Sequence, residues 1–347
     1  MQMNDLLHAA VDSGASDILL VAGSPPMFRI DGELQPANLE ALNPSTLEDL
    51  CQQVLSDEQT AELNEHQDAD FSFAIPRLGR FRFNVHMQKG SYAAAIRYIA
   101  NEIPSLEQLN LPPMIEELTR LKSGLFLVTG QTGSGKSTTL AAIINHINQR
   151  DAKHIITLED PIEFQYTHGR SLIEQREIGT DCPSFESGLR HILRQDPDVI
   201  LVGELRDLNT IRTALQAAET GHLVLSTLHS SSAAGAIDRM VEVFPADEQS
   251  QIRSHLAECL QAVVTQRLLH SANGRGRVAA IELLLITLGI QTNIRDGKAH
   301  LIPGMMSMNR RLGMQTMEQA LKELLLNGRA MPADVDEHLQ ELATTAS

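Results

Sequence analysis

Near residue 100 the arrangement of apolar positions changes character. Before it, apolar and polar residues alternate over short stretches, as in half-buried strands. Asp70-Phe71-Ser72-Phe73-Ala74-Ile75 and Arg80-Phe81-Arg82-Phe83-Asn84-Val85 show this best, the second with phenylalanines on one face and arginines on the other. Residues 17–21 read as a strand, residues 28–30 and 33–34 flank the hairpin signal Asp31-Gly32, and residues 92–99 add a further strand. A helix is expected over 47–55, and Ser56-Asp57-Glu58-Gln59 has the capping-box spacing that starts another. Residues 1–100 are thus expected to form a small α+β domain.

Residues 101–113 contain Pro104, Pro112 and Pro113 and read as a linker. In 114–347, short apolar runs alternate with helical spacing, the signature of a mostly parallel α/β sheet. Strands are expected at 125–128, 154–158, 199–202 and 223–226, and helices at 137–149, 184–194, 208–219 and 247–269. A mainly helical region ends the chain. Its stripe of Met317, Ala320, Leu321, Leu324 and Leu325, with Gly328 just beyond, predicts a helix packed on the core.

The first of these strands runs into Gly130-Gln131-Thr132-Gly133-Ser134-Gly135-Lys136-Ser137, a complete phosphate loop, and then into a helix beginning near Thr138. The glycines let successive N–H groups turn toward one anion, and the helix N-terminus adds its positive end. Lys136 is placed for the β- and γ-phosphates and the Ser137 hydroxyl for Mg²⁺. A nucleoside triphosphate is the ligand this pattern requires.

Hydrolysis needs an acid near the γ-phosphate. The apolar strand Val199-Ile200-Leu201-Val202 ends in Gly203-Glu204, so Glu204 is the candidate general base or water-positioning residue. Gly203 stands where a metal-binding aspartate is common. A second acidic group, Glu159-Asp160-Pro161-Ile162-Glu163, follows another apolar strand. It could supply Glu159, Asp160 and Glu163 to Mg²⁺, directly or through waters, or be a charged surface loop. His222 and His229 bracket the strand 223–226. Their odd separation points them to opposite faces of an ideal strand, which argues against a shared metal site. His229 could approach a γ-phosphate, and His222 could be structural.

The formal net charge of -16 argues against nucleic acid as the main partner. Cys51, Cys182 and Cys259 are far apart, with no disulfide framework or zinc spacing. No signal peptide and no apolar stretch of membrane-spanning length is evident, and the richest run, 279–286, contains Glu282. A soluble cytoplasmic protein is expected, reaching a membrane only through partners.

Together these segments resemble the type IV pilus and type II secretion ATPases, most closely the PilT-like pilus retraction ATPases. The phosphate loop, the acidic box 159–164, the segment 196–204 and Ala218-Glu219-Thr220-Gly221-His222 carry the resemblance, joined by Ala15-Ser16-Asp17-Ile18 and Gly23-Ser24-Pro25-Pro26-Met27. It implies a PAS-like N-terminal domain, a RecA-like ATPase domain, a homo-hexameric ring, ATP with Mg²⁺, and an inner-membrane platform protein as partner. It also implies Glu204 as the catalytic glutamate, Glu163 assisting at the metal, and His222 and His229 sensing nucleotide. Arg277 would reach phosphate, and Arg80, Arg82 and Arg97 of the N-terminal sheet would approach nucleotide on domain closure.

Assembly-type relatives carry a longer N-terminal region and a four-cysteine insertion, and neither is found here, which favours the retraction branch. The retraction signature resembling A-I-R-N-L-I-R-E reads Gly289-Ile290-Gln291-Thr292-Asn293-Ile294-Arg295-Asp296. Gln291 and Asn293 replace an arginine and a leucine. An accessory, PilU-like role beside a paralogous motor is compatible with that departure. A regulatory nucleotide-binding subunit and an assembly ATPase are the other readings.

Overall fold

The computed structural model describes residues 1–30, 32–75, 78–99, 103–274 and 276–345. Its contacts divide the chain into two compact units, Met1–Glu102 and Ile103–Ser347. The hairpin tip at Asp31 and the first two residues expected in the linker, 101 and 102, lie outside the described residues.

The first unit contains α1 (Met3–Asp12), β1 (Asp17–Val21), β2 (Met27–Ile30), β3 (Glu33–Pro36), α2 (Pro44–Gln52), α3 (Asp57–His66), β4 (Asp68–Ile75), β5 (Gly79–Gln88) and β6 (Ser91–Ile99). Its strands form one antiparallel sheet in the order β3-β2-β1-β6-β5-β4. The alternation in β5 resolves as expected, with Phe81 and Phe83 fully buried. Phe83 stacks on Phe71 at 5.2 Å, and Phe73 meets it edge-on at 6.0 Å. Ser56 and Gln59 make both hydrogen bonds of the expected capping box at the start of α3.

The second unit contains α4 (Pro113–Leu118), β7 (Gly124–Thr129), α5 (Lys136–Arg150), β8 (His154–Glu159), β9 (Leu172–Glu177), α6 (Phe185–Ile192), β10 (Val199–Val202), α7 (Leu208–Glu219), β11 (Leu223–Leu228), α8 (Ala233–Glu242) and α9 (Gln249–Cys259). Then follow β12 (Leu260–His270), β13 (Arg277–Leu285), α10 (Leu288–Arg295), α11 (Ile302–Met308), α12 (Met317–Leu326) and α13 (Pro332–Thr345). The sheet order is β13-β12-β7-β11-β10-β8-β9, parallel except for the β12–β13 pair. Every residue of β7, β10 and β11 is buried, because helices cover both faces of a parallel sheet. That is why these segments read as continuous apolar runs.

One expected element is corrected. The helix expected over 247–269 ends at Cys259, and residues 260–270 form a strand beside β7. Its run of Ala262-Val263-Val264 is fully buried between two neighbours in the sheet. β-branched residues suit that place better than a helix interior. Strand β13 then pairs back on β12 along its length. The apolar stripe of α12 packs as expected, against Leu269 and Ala280 of these two strands.

Candidate active site

Strands β7, β8, β10 and β11 run parallel, so the residues following each emerge along one edge of the sheet. That edge gathers the phosphate loop after β7, His229 after β11, Glu204 after β10 and the acidic box at the end of β8. The site is therefore a consequence of topology, at the carboxyl ends of parallel strands where α/β folds bind ligands.

In the loop, Gly130, Gly133 and Gly135 all have positive φ. A Cβ on Gly130 would strike the Ser134 hydroxyl and come within 2.5 Å of the Gln266 carbonyl, so only glycine fits there. Lys136 donates to the carbonyls of Gly130 at 3.0 Å and Gln131 at 2.9 Å, holding the ammonium over the loop. Burial pushes its pKa down, and the charges of Glu204 and Glu163 pull it back up. Both carboxylates are thus within electrostatic reach of the lysine. The buried Ser134 Oγ and Gln266 Oε1 have no hydrogen-bond partner, while Gln266 Nε2 donates to the Ser134 carbonyl at 2.6 Å. A cradle with a buried hydroxyl able to donate from Ser134 and a backbone that requires glycine at position 130 suits a phosphate chain.

Glu204 has both oxygens engaged. Oε2 accepts from Arg206 Nε at 2.8 Å, and Oε1 lies 3.3 Å from His229 Nε2. Arg239 Nη1 in turn donates to the His229 carbonyl at 2.7 Å. Thr227 Oγ1 donates to the Gly203 carbonyl at 2.6 Å, fixing the backbone just before the glutamate. His229 also lines a cavity of about 430 Å³ with Gln131 and Thr132 of the loop. A larger cavity of about 530 Å³ opens beside the first turn of α5, bounded by Thr138, Gln266, Leu268, Arg277, Leu111 and Arg329. Its size and mixed lining suit a nucleoside.

The acidic box divides its labour. Glu159 is buried, and its Oε1 accepts from Thr157 Oγ1 at 2.7 Å and Gln175 Nε2 at 3.2 Å. Burial raises its pKa, and its hydrogen bonds, including one from the Glu163 N–H, oppose the rise. The Oε1 of Glu159 is thus engaged inside the turn that carries Glu163. Asp160 and Glu163 are exposed. No cluster of three or more potential ligands occurs among the described residues. The residues present nonetheless fit Mg²⁺, which keeps several waters and takes only one or two protein oxygens beside substrate phosphates. Ser137 and Glu163 are the groups that would hold it.

His222 precedes β11, at the end opposite His229. Its carbonyl accepts from Gly124, at the start of β7, whereas the phosphate loop follows the end of that 6-residue strand. Roughly 20 Å of strand separates the two positions in one subunit. The His222 ring bonds locally, to the Ala217 carbonyl at 3.0 Å. In the first unit, Arg82 and Arg97 lie directly opposite one another on β5 and β6, with Arg80 two residues before Arg82. Arg97 pairs with Asp17 at 2.9 Å and Arg82 lies 3.9 Å from Asp70.

Several contributors escape a sequence reading. Gln266 and Leu268 come from β12, a segment read as helix, and Leu111 and Arg329 flank it in space alone. Arg206 had a visible signal, since it follows Glu204 in Gly203-Glu204-Leu205-Arg206.

Comparison with known proteins gives the family. Residues 1–327 match the family described as Type II/IV secretion system protein. The chain belongs to the type II/IV secretion system protein family. Within that family it is similar to the type IV pilus retraction ATPase PilT of Pseudomonas aeruginosa, with 44% identity over 94% of this chain and 95% of the relative. It is also similar to a twitching motility protein of Neisseria gonorrhoeae, with 43% identity over 90% of this chain and 83% of that protein. The type IV pilus ATPase PilU of Pseudomonas aeruginosa shares 38% identity over 97% of this chain and 88% of its own length. Among solved structures, the pilus retraction motor PilT with bound ADP superposes with a TM-score of 0.91 at 46% identity, covering 97% and 96% of the two chains. As a PilT-like member of the type II/IV secretion system family, this protein is an ATPase, with an N-terminal α+β domain followed by a RecA-like ATPase domain. No helix among the described residues is long and apolar enough to cross a membrane.

Proposed function

We propose that this ATPase is a motor subunit of type IV pilus retraction. The observation that carries the reading is the convergence of Lys136, Glu204 and His229 on one sheet edge, in a chain similar to PilT along nearly its whole length. The phosphates of ATP lie against the loop N–H groups and draw Lys136 from its two loop carbonyls. The nucleoside occupies the cavity beside α5, with Arg277 and Arg329 at its rim. Ser137 and Glu163 would hold Mg²⁺, which would supply neutralisation of the phosphate charge.

Glu204 then orders the attacking water. The Arg206 hydrogen bond occupies Oε2 of Glu204, so Glu204 acts by orientation until Arg206 turns away. His229 sits between Glu204 and the loop and links the glutamate to the γ-phosphate. The subunit works in a homo-hexameric ring against an inner-membrane platform protein, and Arg80, Arg82 and Arg97 add positive charge to the nucleotide when the domains close.

A second reading, an accessory PilU-like motor, is favoured by the departures at Gln291 and Asn293. In α10, Ile290 and Ile294 are buried as a helix face requires. Asn293 Nδ2 lies 2.8 Å from Met305 Sδ, and a Cβ on Gly289 would stand 2.8 Å from Met305 Cε. Gly289, Asn293 and Met305 thus form one packing solution, distinct from the alanine and leucine of the signature.

The test is deletion of the gene in its host, with surface pili counted and single retraction events recorded. Abundant pili that no longer retract, unrescued by a Glu204→Gln copy, are expected. Loss of pili would point instead to assembly, and near-normal retraction to the accessory role.

A further inference from the structure

Glu282 is a buried carboxylate that the steps above do not use. It lies on β13, in the most apolar run of the chain, and is only 8% exposed. Oε1 accepts from the Ala233 N–H at 2.7 Å and Oε2 from the Met317 N–H at 3.2 Å. Ala233 and Met317 are the first residues of α8 and α12, so two helix N-termini share one acid. Their positive ends favour the charge that burial disfavours. Thr265, directly across from Glu282 on β12, also bonds the carboxylate. The Thr265 hydroxyl lies 2.8 Å from that of Thr129, the residue before Gly130 of the phosphate loop.

The turn from His229 to Ala233 is therefore tied at both ends. Arg239 holds the His229 carbonyl, and Glu282 holds the Ala233 N–H. Between them, Ser230 Oγ donates to the Ser232 carbonyl at 2.9 Å. Where α8 begins sets where His229 sits relative to Glu204. We infer that Glu282 is a positioning residue for ATP hydrolysis: it fixes the His229 turn against the strand leading into the phosphate loop and against helix α12. An apolar residue there would leave the first N–H groups of two helices buried and unpaired.

This inference rests on the ATPase reading, and wild-type turnover is its control. If the wild-type full-length chain hydrolyses no ATP, that reading fails, not the role of Glu282. The experiment compares steady-state ATP hydrolysis and thermal unfolding for Glu282→Gln, His229→Ala and the double variant. The amide keeps the shape but turns an N–H₂ toward one of the two helix N–H groups. Glu282→Gln is expected to lower kcat about tenfold while KM for ATP stays within about twofold. Combined with His229→Ala it should cost nothing further, since both changes act through the same turn. Additive losses, a parallel rise in KM, or unchanged kcat would each overturn the inference. Should Glu282→Gln fail to fold, Thr265→Val removes one donor to the carboxylate while keeping the side-chain shape. A kcat loss that vanishes in the His229→Ala background is then expected, and full turnover by Thr265→Val would refute it.

Discussion

Lys136 and Glu204 are separable by experiment because they meet the substrate at different stages. Lys136 supplies charge to phosphates already bound, whereas Glu204 matters only once water attacks. Lys136→Ala is expected to abolish ATP binding measured by fluorescent-nucleotide titration. Glu204→Gln should bind ATP within about twofold of wild type and lose turnover by about a hundredfold or more. Equal loss of binding in both variants would argue against the assigned division. The loop residues were legible in the sequence because their constraint is local: Gly130 must lack a Cβ, and Lys136 must follow Gly135 on the first turn of α5. The surroundings of Glu159 and His222 were not legible: one bonds Thr157 in the interior, and the other stands before β11, at the end opposite His229.

Elements whose ends are built from adjacent residues were read closely, such as α7 over Leu208–Glu219, β10 over Val199–Val202 and the capping box of α3. Strand β12 was missed because an apolar run can serve a buried strand or a buried helix, and only its neighbours decide. The last helix, α13, is held to β12 by long-range polar contacts. Asp334 accepts from the His270 N–H at 2.8 Å, and Glu341 accepts from Arg267 at 2.6 Å. The His270 N–H holds the Asp334 carboxyl below its usual range, and His338 with Arg267 does the same for Glu341. Depressed carboxyl values stabilise the fold above the ordinary carboxylate range, and the contribution is lost as pH falls through the lowered values. Below about pH 4 the amides of α13 should therefore exchange before those of the central sheet. Simultaneous exchange in both regions would count against this latch.

At the level of the complete chain, the proposal requires assembly. Native mass spectrometry or analytical ultracentrifugation with ATP and Mg²⁺ should give a hexamer; a monomer that hydrolyses ATP at full rate would remove the ring from the mechanism. The strong negative charge, -16 formally, predicts that DNA neither binds nor stimulates turnover. The phosphate loop and the acid at the end of β10 were fixed by local sequence, since each depends on spacing within one strand, turn or helix. Which groups meet was decided by the sheet order, which brings residues remote along the chain to one edge. Gln266 beside Ser134, His229 beside Glu204, and Glu282 beneath the starts of α8 and α12 arise only there, because a buried polar atom takes its partner from whatever the packed fold places against it.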